Sequence, residues 1–311
     1  TGEWPRVSLL FLMSGLTNAG AIWGISITYA AFLQQIGIEA LPWILALGSA
    51  LSIIAIAIYT AFVDRIANDR LLIIIFAIGA AGIMIGLALL WFNLFSIAYP
   101  FLYLLITSLI AVINSHHVTY FNDFYDTQEA KRILPVVFAG YRIGAIVAGL
   151  TIPLLNRWFG PGQIITLWLL TNIAVIVLVW LMPCLLKENI TQSSQADCPS
   201  SLITAASEKQ PSSYIENVRE GFHYTAQSIY LRWIAPGTLF MMVLMALLQY
   251  RSSELLLETY GTVEELADFM GLLAGLSNIV ALPTLLFGMS RLLARLGLSR
   301  ASLIFPAGNL L

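Results

Sequence analysis

Residues 71–92 read LLIIIFAIGAAGIMIGLALLWF, twenty-two positions without a single charged, amide or hydroxyl side chain. At 1.5 Å per residue such a helix reaches about 33 Å, enough to cross the roughly 30 Å hydrocarbon core of a bilayer. No side of it is polar, so it must be apolarly surrounded along its whole length. Seven further blocks of similar character follow from the same reading, at 7–33, 41–63, 97–121, 134–157, 163–186, 233–257 and 266–290. Of the 311 residues, 59% are hydrophobic and only 10% charged, against about 25% charged in soluble domains. The expected fold is an all-α polytopic membrane protein. A ninth apolar block opens near Ala301 and reaches Leu311 after eleven residues, too few to cross. The expectation is therefore eight full spans and part of a ninth, in a chain shortened at its C-terminal end. The first block is too long for a cleavable signal peptide and lacks a small-residue cleavage pattern.

The basic residues orient these spans. With a cytoplasmic N-terminus, Arg6, Arg65, Arg70, Lys131, Arg132, Lys187, Lys209, Arg219, Arg232, Arg291, Arg295 and Arg300 all lie inside. Only Arg157 and Arg251 fall outside, and Arg142 lies within a span. Twelve against two is a strong positive-inside bias, and it places the chain in a membrane such as the bacterial inner membrane. The net charge of −2 points to no nucleic-acid partner. Cys184 and Cys198 fall at or beyond the cytoplasmic end of a span, where a disulfide is not expected.

Three regions are expected. Residues 1–186 form a six-helix bundle, 187–231 a cytoplasmic linker and 232–311 part of a second bundle. The linker is rich in Ser, Gln, Thr and Ala up to about residue 212. Ser213 and Glu216 then have capping-box spacing, and Ile215, Val218, Phe222 and Ile229 recur at helical intervals. That pattern fits either a short amphipathic helix on the cytoplasmic face or a plain connector. An internal echo supports the doubling. Arg65 and Arg70 stand five apart in a tight turn, as do Arg295 and Arg300, 230 residues later.

In so apolar a chain the ionisable groups mark where function can reside. A charged hinge carries Asn122, Asp123, Glu129, Lys131 and Arg132, and Arg142 follows ten residues further on. Ten residues of helix place Arg142 about 15 Å deeper, near the bilayer centre. A lipid-facing arginine there would cost at least about 2.5–3.5 kcal/mol. It should face a cavity or a partner, either binding an anion through its planar fork or serving as a latch on helix-end carbonyls or a carboxylate. His116 and His117 lie in the same half of the fourth span, close to Asn114. About 100° separates neighbours on a helix, so one of the two faces the interior. A cavity histidine can bind substrate or carry a proton; the alternative is a histidine hydrogen-bonded between helices. Asn18 adds a polar group to the first span. Arg251 and Glu254, three apart near the outer end of the seventh span, are either an extracellular gate or an interfacial ion pair. Thr262 and Glu265 have the spacing of a capping box opening the eighth span. Gly140, Gly144 and Gly149 would permit close helix packing. No phosphate-binding loop, metal-ligand cluster or Ser/His/Asp arrangement is present, which argues against an enzyme and implies no cofactor or metal.

Residues 60–70, Thr-Ala-Phe-Val-Asp-Arg-Ile-Ala-Asn-Asp-Arg, resemble the loop between helices two and three of the major facilitator superfamily. The resemblance implies a facilitator-like fold and a cytoplasmic latch at Asp64, Arg65 and Arg70. Thr60 and Ala67 stand where that motif has glycines. Asn122-Asp123, Glu129-Ala130-Lys131-Arg132, Pro135, Gly140 and Gly149 are similar to the nucleotide transporter family, the ATP/ADP translocases of plastids and intracellular bacteria. Two departures stand out: the first span has no lysine, and Arg142 replaces a usually neutral residue. The resemblance implies a monomeric secondary transporter working by alternating access on a small organic anion, with a nucleotide as one candidate. Asn18, Asn114, His116, His117 and Arg142 are then the candidate substrate contacts. Asn122, Asp123, Glu129, Lys131 and Arg132 would extend the cytoplasmic gate. Two rival readings are a proton-coupled exporter of small amphipathic molecules and a non-transporting membrane module of a larger fused protein.

Overall fold

A computed structural model describes residues 4–63, 65–122, 125, 127–190 and 227–288. Among them it contains eight helices long and apolar enough to cross a membrane, and no strand. They are α1 (Trp4–Ile36), α2 (Leu41–Val63), α3 (Asn68–Trp91), α4 (Phe95–Asn122), α5 (Thr127–Phe159), α6 (Pro161–Ile190), α7 (Ile229–Thr259) and α8 (Val263–Pro283). The protein is an all-helical polytopic membrane protein. In hydrocarbon every backbone polar group must be satisfied within its own segment, and a helix does this.

All eight expected spans are present, most a few residues longer at each end. The eighth differs. Instead of continuing to residue 290, α8 stops at Pro283 and passes into a π turn, Thr284–Gly288. At the expected linker, α6 continues to Ile190 and α7 begins at Ile229. The proposed amphipathic segment from Ser213, the ninth block and the Arg295–Arg300 turn lie outside the described residues.

The turns follow local chemistry. Gly160, at φ 76°, ends α5 in a conformation that costs glycine nothing, and Pro161 opens α6 with the fixed φ suited to a first helical position. At the start of α8, Thr262 Oγ1 accepts from Glu265 N–H at 3.2 Å, and Glu265 Oε2 accepts from Gly261 N–H at 3.2 Å. The first bond is the cap that the spacing predicts, while the return bond goes to the residue before Thr262 and not to Thr262 itself.

At the centre stands α1, packed against α4, α5, α6 and α8. Lipid supplies no hydrophobic force between apolar helices, so close packing through small residues must hold them. A Cβ on Gly144 would overlap the Gly15 carbonyl oxygen, and one on Gly140 would overlap that of Phe11. On its other side α5 meets α8 in the same way, where a Cβ on Gly149 would strike Gly271 and Gly275. Pro153 has no N–H to offer the Gly149 carbonyl four residues back, and that carbonyl faces Gly271. Trp168 of α6 lies over Gly20 and Gly24 of α1, and Leu102 and Leu105 of α4 over Gly86 and Gly82 of α3. Among the described side chains of α7, those that join the assembly lie in its last turns, Tyr250, Ser253, Leu256 and Leu257 among them.

These backbone contacts have no side chain that could yield. Gly144→Ala should therefore lower stability in detergent by about 1–3 kcal/mol, the range for overpacking. Gly162→Ala, where a Cβ meets nothing within 4 Å, should be neutral or slightly stabilising. Thermal unfolding of the two purified variants checks the contrast.

Candidate substrate cavity

A cavity of about 340 Å³ lies among α1, α4, α5 and the π turn, lined by Ser14, Asn114, His117, Val118, Phe121, Phe138, Tyr141, Arg142 and Leu285. That size falls within the range of small-molecule sites. It occupies the half of the bundle nearer the N-terminus of α1. Three of the five expected substrate contacts, Asn114, His117 and Arg142, converge on it.

Arg142 is the sixteenth of thirty-three residues in α5, hence at the midpoint of that helix. Its Nη1 donates to Asn278 Oδ1 of α8 at 2.9 Å. The Asn278 amide is oriented by its own Nδ2, which donates to the Ala274 carbonyl at 2.8 Å. A neutral amide positions the guanidinium without cancelling its charge. Among the described residues no carboxylate pairs with it. The cavity wall thus holds a net positive charge and N–H donors not taken up by Asn278.

The two histidines separate cleanly. His116 is fully buried, with Nε2 donating to the Asn68 carbonyl at 2.9 Å and Nδ1 meeting the Tyr59 hydroxyl at 3.1 Å. It ties α2 and the start of α3 to α4 and does not line the cavity. His117 is also buried, between Phe76 and Phe121, but its Nε2 has no hydrogen-bond partner. Leaving such a nitrogen bare costs about 1–3 kcal/mol, which a ligand or water in the cavity would relieve.

Asn18 stands beside the cavity and not in its wall. Its Nδ2 donates to the Tyr141 carbonyl at 2.8 Å and so fixes α1 against the turn of α5 that carries Arg142. Sequence reasoning missed Ser14, Tyr141 and Asn278. Ser14 lines the cavity, and its hydroxyl is buried without a hydrogen-bond partner. A signal existed: Ser14, Thr17 and Asn18 stand at i, i+3 and i+4, a polar stripe down one face of an apolar helix. Thr17 and Asn172 line a neighbouring recess of about 20 Å³, room for about one water.

The opposite end of the bundle is closed by hydrogen bonds that run from α1 and α5 to α7 and α8. Tyr29 OH and Ser253 Oγ lie 2.5 Å apart, and Gln249 Nε2 donates to the same phenol at 3.4 Å. Gln34 Nε2 reaches the Tyr260 carbonyl at 2.8 Å, and Asn156 Nδ2 reaches Asp268 Oδ1 at 2.6 Å. Arg251 and Glu254 pair with each other at 2.5 Å on an exposed face of α7. At the basic end Arg65, Arg70 and Glu129 are exposed, with no ion-pair partner among the described residues. Asp64, Asp123 and the side chains of Asn122, Lys131 and Arg132 lie outside the described residues.

The same substitution at the two histidines should give opposite results. His116→Leu removes the hydrogen bonds to the Asn68 carbonyl and the Tyr59 hydroxyl and should cost about 1–3 kcal/mol, whereas His117→Leu removes a nitrogen with no hydrogen bond and should cost less or nothing. Thermal unfolding of both variants in detergent measures the difference.

Comparison with known proteins locates this architecture. The model of the TLC ATP/ADP transporter family matches residues 81–310, a segment that contains His117, Arg142, Asn278 and the α5–α8 seam. No curated protein and no solved structure matches the chain. The resemblance drawn from residues 122–149 is thus part of a match over about three-quarters of the sequence, and the chain belongs to the TLC ATP/ADP transporter family.

Proposed function

We propose that the protein is a secondary active transporter that exchanges nucleotides of the ATP/ADP type by alternating access, with Arg142 as the main contact to the anionic part of the substrate. One observation carries this reading: a mid-membrane guanidinium held by a neutral amide at the wall of a cavity. A cation at membrane depth is costly unless a partner or a cavity receives it, so a half-buried arginine with no carboxylate partner among the described residues calls for an anion that comes and goes. Phosphate and carboxylate oxygens match its planar donor fork. Ser14, Asn114 and His117 add further polar groups around the same space, and Phe121 and Phe138 supply apolar walls.

The asymmetry of the bundle supports alternating access. With the N-terminus in the cytoplasm, the cavity lies toward the inner face, and the Tyr29–Ser253, Gln34–Tyr260 and Asn156–Asp268 bonds close the outer one. In the opposite state these bonds would break. Asp64, Arg65, Arg70, Asn122, Asp123, Glu129, Lys131 and Arg132 would then join across the inner face, as the facilitator-like loop suggests. Arg251 and Glu254 flank the outer closure on α7. The glycine seams on both sides of α5 offer smooth surfaces over which the helices can shift.

A second reading rests on His117. An imidazole that lines the cavity and has a nitrogen without a hydrogen bond is a suitable group to carry a proton, and His116, with both nitrogens engaged, is not. Proton-coupled export of amphipathic molecules would use the same cavity.

Purified protein in liposomes loaded with ATP should take up labelled ADP. Arg142→Ala should reduce uptake about 10- to 100-fold, the loss of a charged hydrogen-bonding partner, with Arg142→Lys intermediate. Uptake by Arg142→Ala equal to wild type would overturn the assignment. Uptake that instead follows an imposed pH gradient and vanishes in His117→Leu would favour the proton-coupled reading.

The outer closure can be tested separately. Tyr29→Phe removes the bonds to Ser253 and Gln249. In a background where Ser14→Cys is the only cysteine, labelling by an impermeant thiol reagent added from the outer side should rise at least about fivefold, the equivalent of about 1 kcal/mol for the shorter of the two bonds.

A further inference from the structure

A second recess, of about 430 Å³, lies away from the substrate cavity, between α2 and α3 with α4 as its floor. Ile58 and Phe62 of α2, Ile74 and Ile78 of α3, and Leu105 and Val112 of α4 form its walls, which are almost wholly apolar. It exists because α2 and α3 each pack on α4 and hardly on one another. The opening is sideways: Ile58 and Ile78 are 56% and 60% exposed. In a bilayer that opening faces acyl chains.

One end of the recess lies at the turn between α2 and α3. Ile66 and Leu71 line it there, and their immediate neighbours in sequence are Arg65 and Arg70. Both arginines are exposed, and neither side chain has a hydrogen-bond or ion-pair partner among the described residues. Asp69 beside them is half-buried and joins neither. An apolar slot within the membrane therefore ends at the turn that carries two exposed arginines. That is the charge and polarity pattern of a phospholipid with a net negative headgroup, in reverse.

We propose that this recess is a binding site for an anionic phospholipid, with an acyl chain between α2 and α3 and the headgroup phosphate held by Arg65 and Arg70. The bound lipid would supply the contact that α2 and α3 do not make with each other. The proposal does not depend on the nature of the transported substrate.

The test is equilibrium lipid binding to the purified full chain, read by native mass spectrometry with phosphatidylglycerol and phosphatidylcholine of matched acyl chains. Each juxtamembrane basic residue contributes on the order of a fivefold attraction to anionic lipid, so the pair should favour phosphatidylglycerol by about 30-fold. The double variant R65Q/R70Q should bring that ratio close to one. Ile74→Trp, which fills the slot, should weaken both lipids while leaving the preference in place. Equal binding of the two lipids by the wild type overturns the proposal. So does a preference that survives R65Q/R70Q, or phosphatidylglycerol binding unchanged by Ile74→Trp. Glycerophosphoglycerol, which has no acyl chains, binding as tightly as the whole lipid overturns it too. A dimer that forms on delipidation and is lost in Ile74→Trp would assign the recess to a second copy of the chain and likewise overturn it.

Discussion

Backbone-to-backbone approach between α1 and α5 is the constraint from which the rest of this structure follows. Where Gly15 meets Gly140 and Gly144, no side chain separates the two helices. That proximity lets Asn18 reach the Tyr141 carbonyl, and it fixes the turn of α5 on which Arg142 stands. On the far side of α5, Gly149 against Gly271 and Gly275 draws in α8 and with it Asn278. Widen either seam by one methyl group and the guanidinium loses its neutral partner or the cavity loses its shape. In lipid, where apolar side chains gain little by leaving their surroundings, such contacts carry much of the association energy.

The charged groups of the membrane region fall into two kinds. Arg251 and Glu254 satisfy each other within one exposed turn, so they present no net charge to the bundle. Arg142 is held by an amide and keeps its charge, beside a space that Ser14, Asn114 and His117 also line. The polar groups that close the other end are neutral or nearly so: a phenol, a serine, two glutamines and an asparagine, with Asp268 as the exception. Neutral hydrogen bonds of about 1 kcal/mol each can be broken and remade at little cost, whereas a buried ion pair cannot be parted so cheaply.

Much of the fold was legible because it rests on one-dimensional properties. The unbroken apolar run at 71–92 became α3, and the other blocks became helices for the same reason: length and hydrophobicity alone decide whether a segment crosses lipid. The Thr262–Glu265 cap and the Gly160–Pro161 break are equally local. The site was only partly legible. Arg142 could be singled out by depth, counted in residues from the hinge. Its neighbour His117 could not be told from His116, because both have the same depth and composition around them. Ser14 carried a faint signal in its spacing to Asn18. Asn278 carried none that pointed to Arg142, 136 residues away.

The count of spans among the described residues, their approximate extent, the place of a cation near the middle of one helix and the family resemblance were thus contained in the order of residues. Rotation of each helix about its axis was not, and neither was the separation between helices. Those two quantities sent His116 to the Asn68 carbonyl and His117 to the cavity. They set a neutral amide before Arg142 where a carboxylate would have cancelled it, and they left α2 and α3 apart over a recess. Hydropathy is a sum over a segment, blind to direction, whereas a hydrogen bond or a glycine contact exists only when two surfaces meet at the right angle and within a few ångströms.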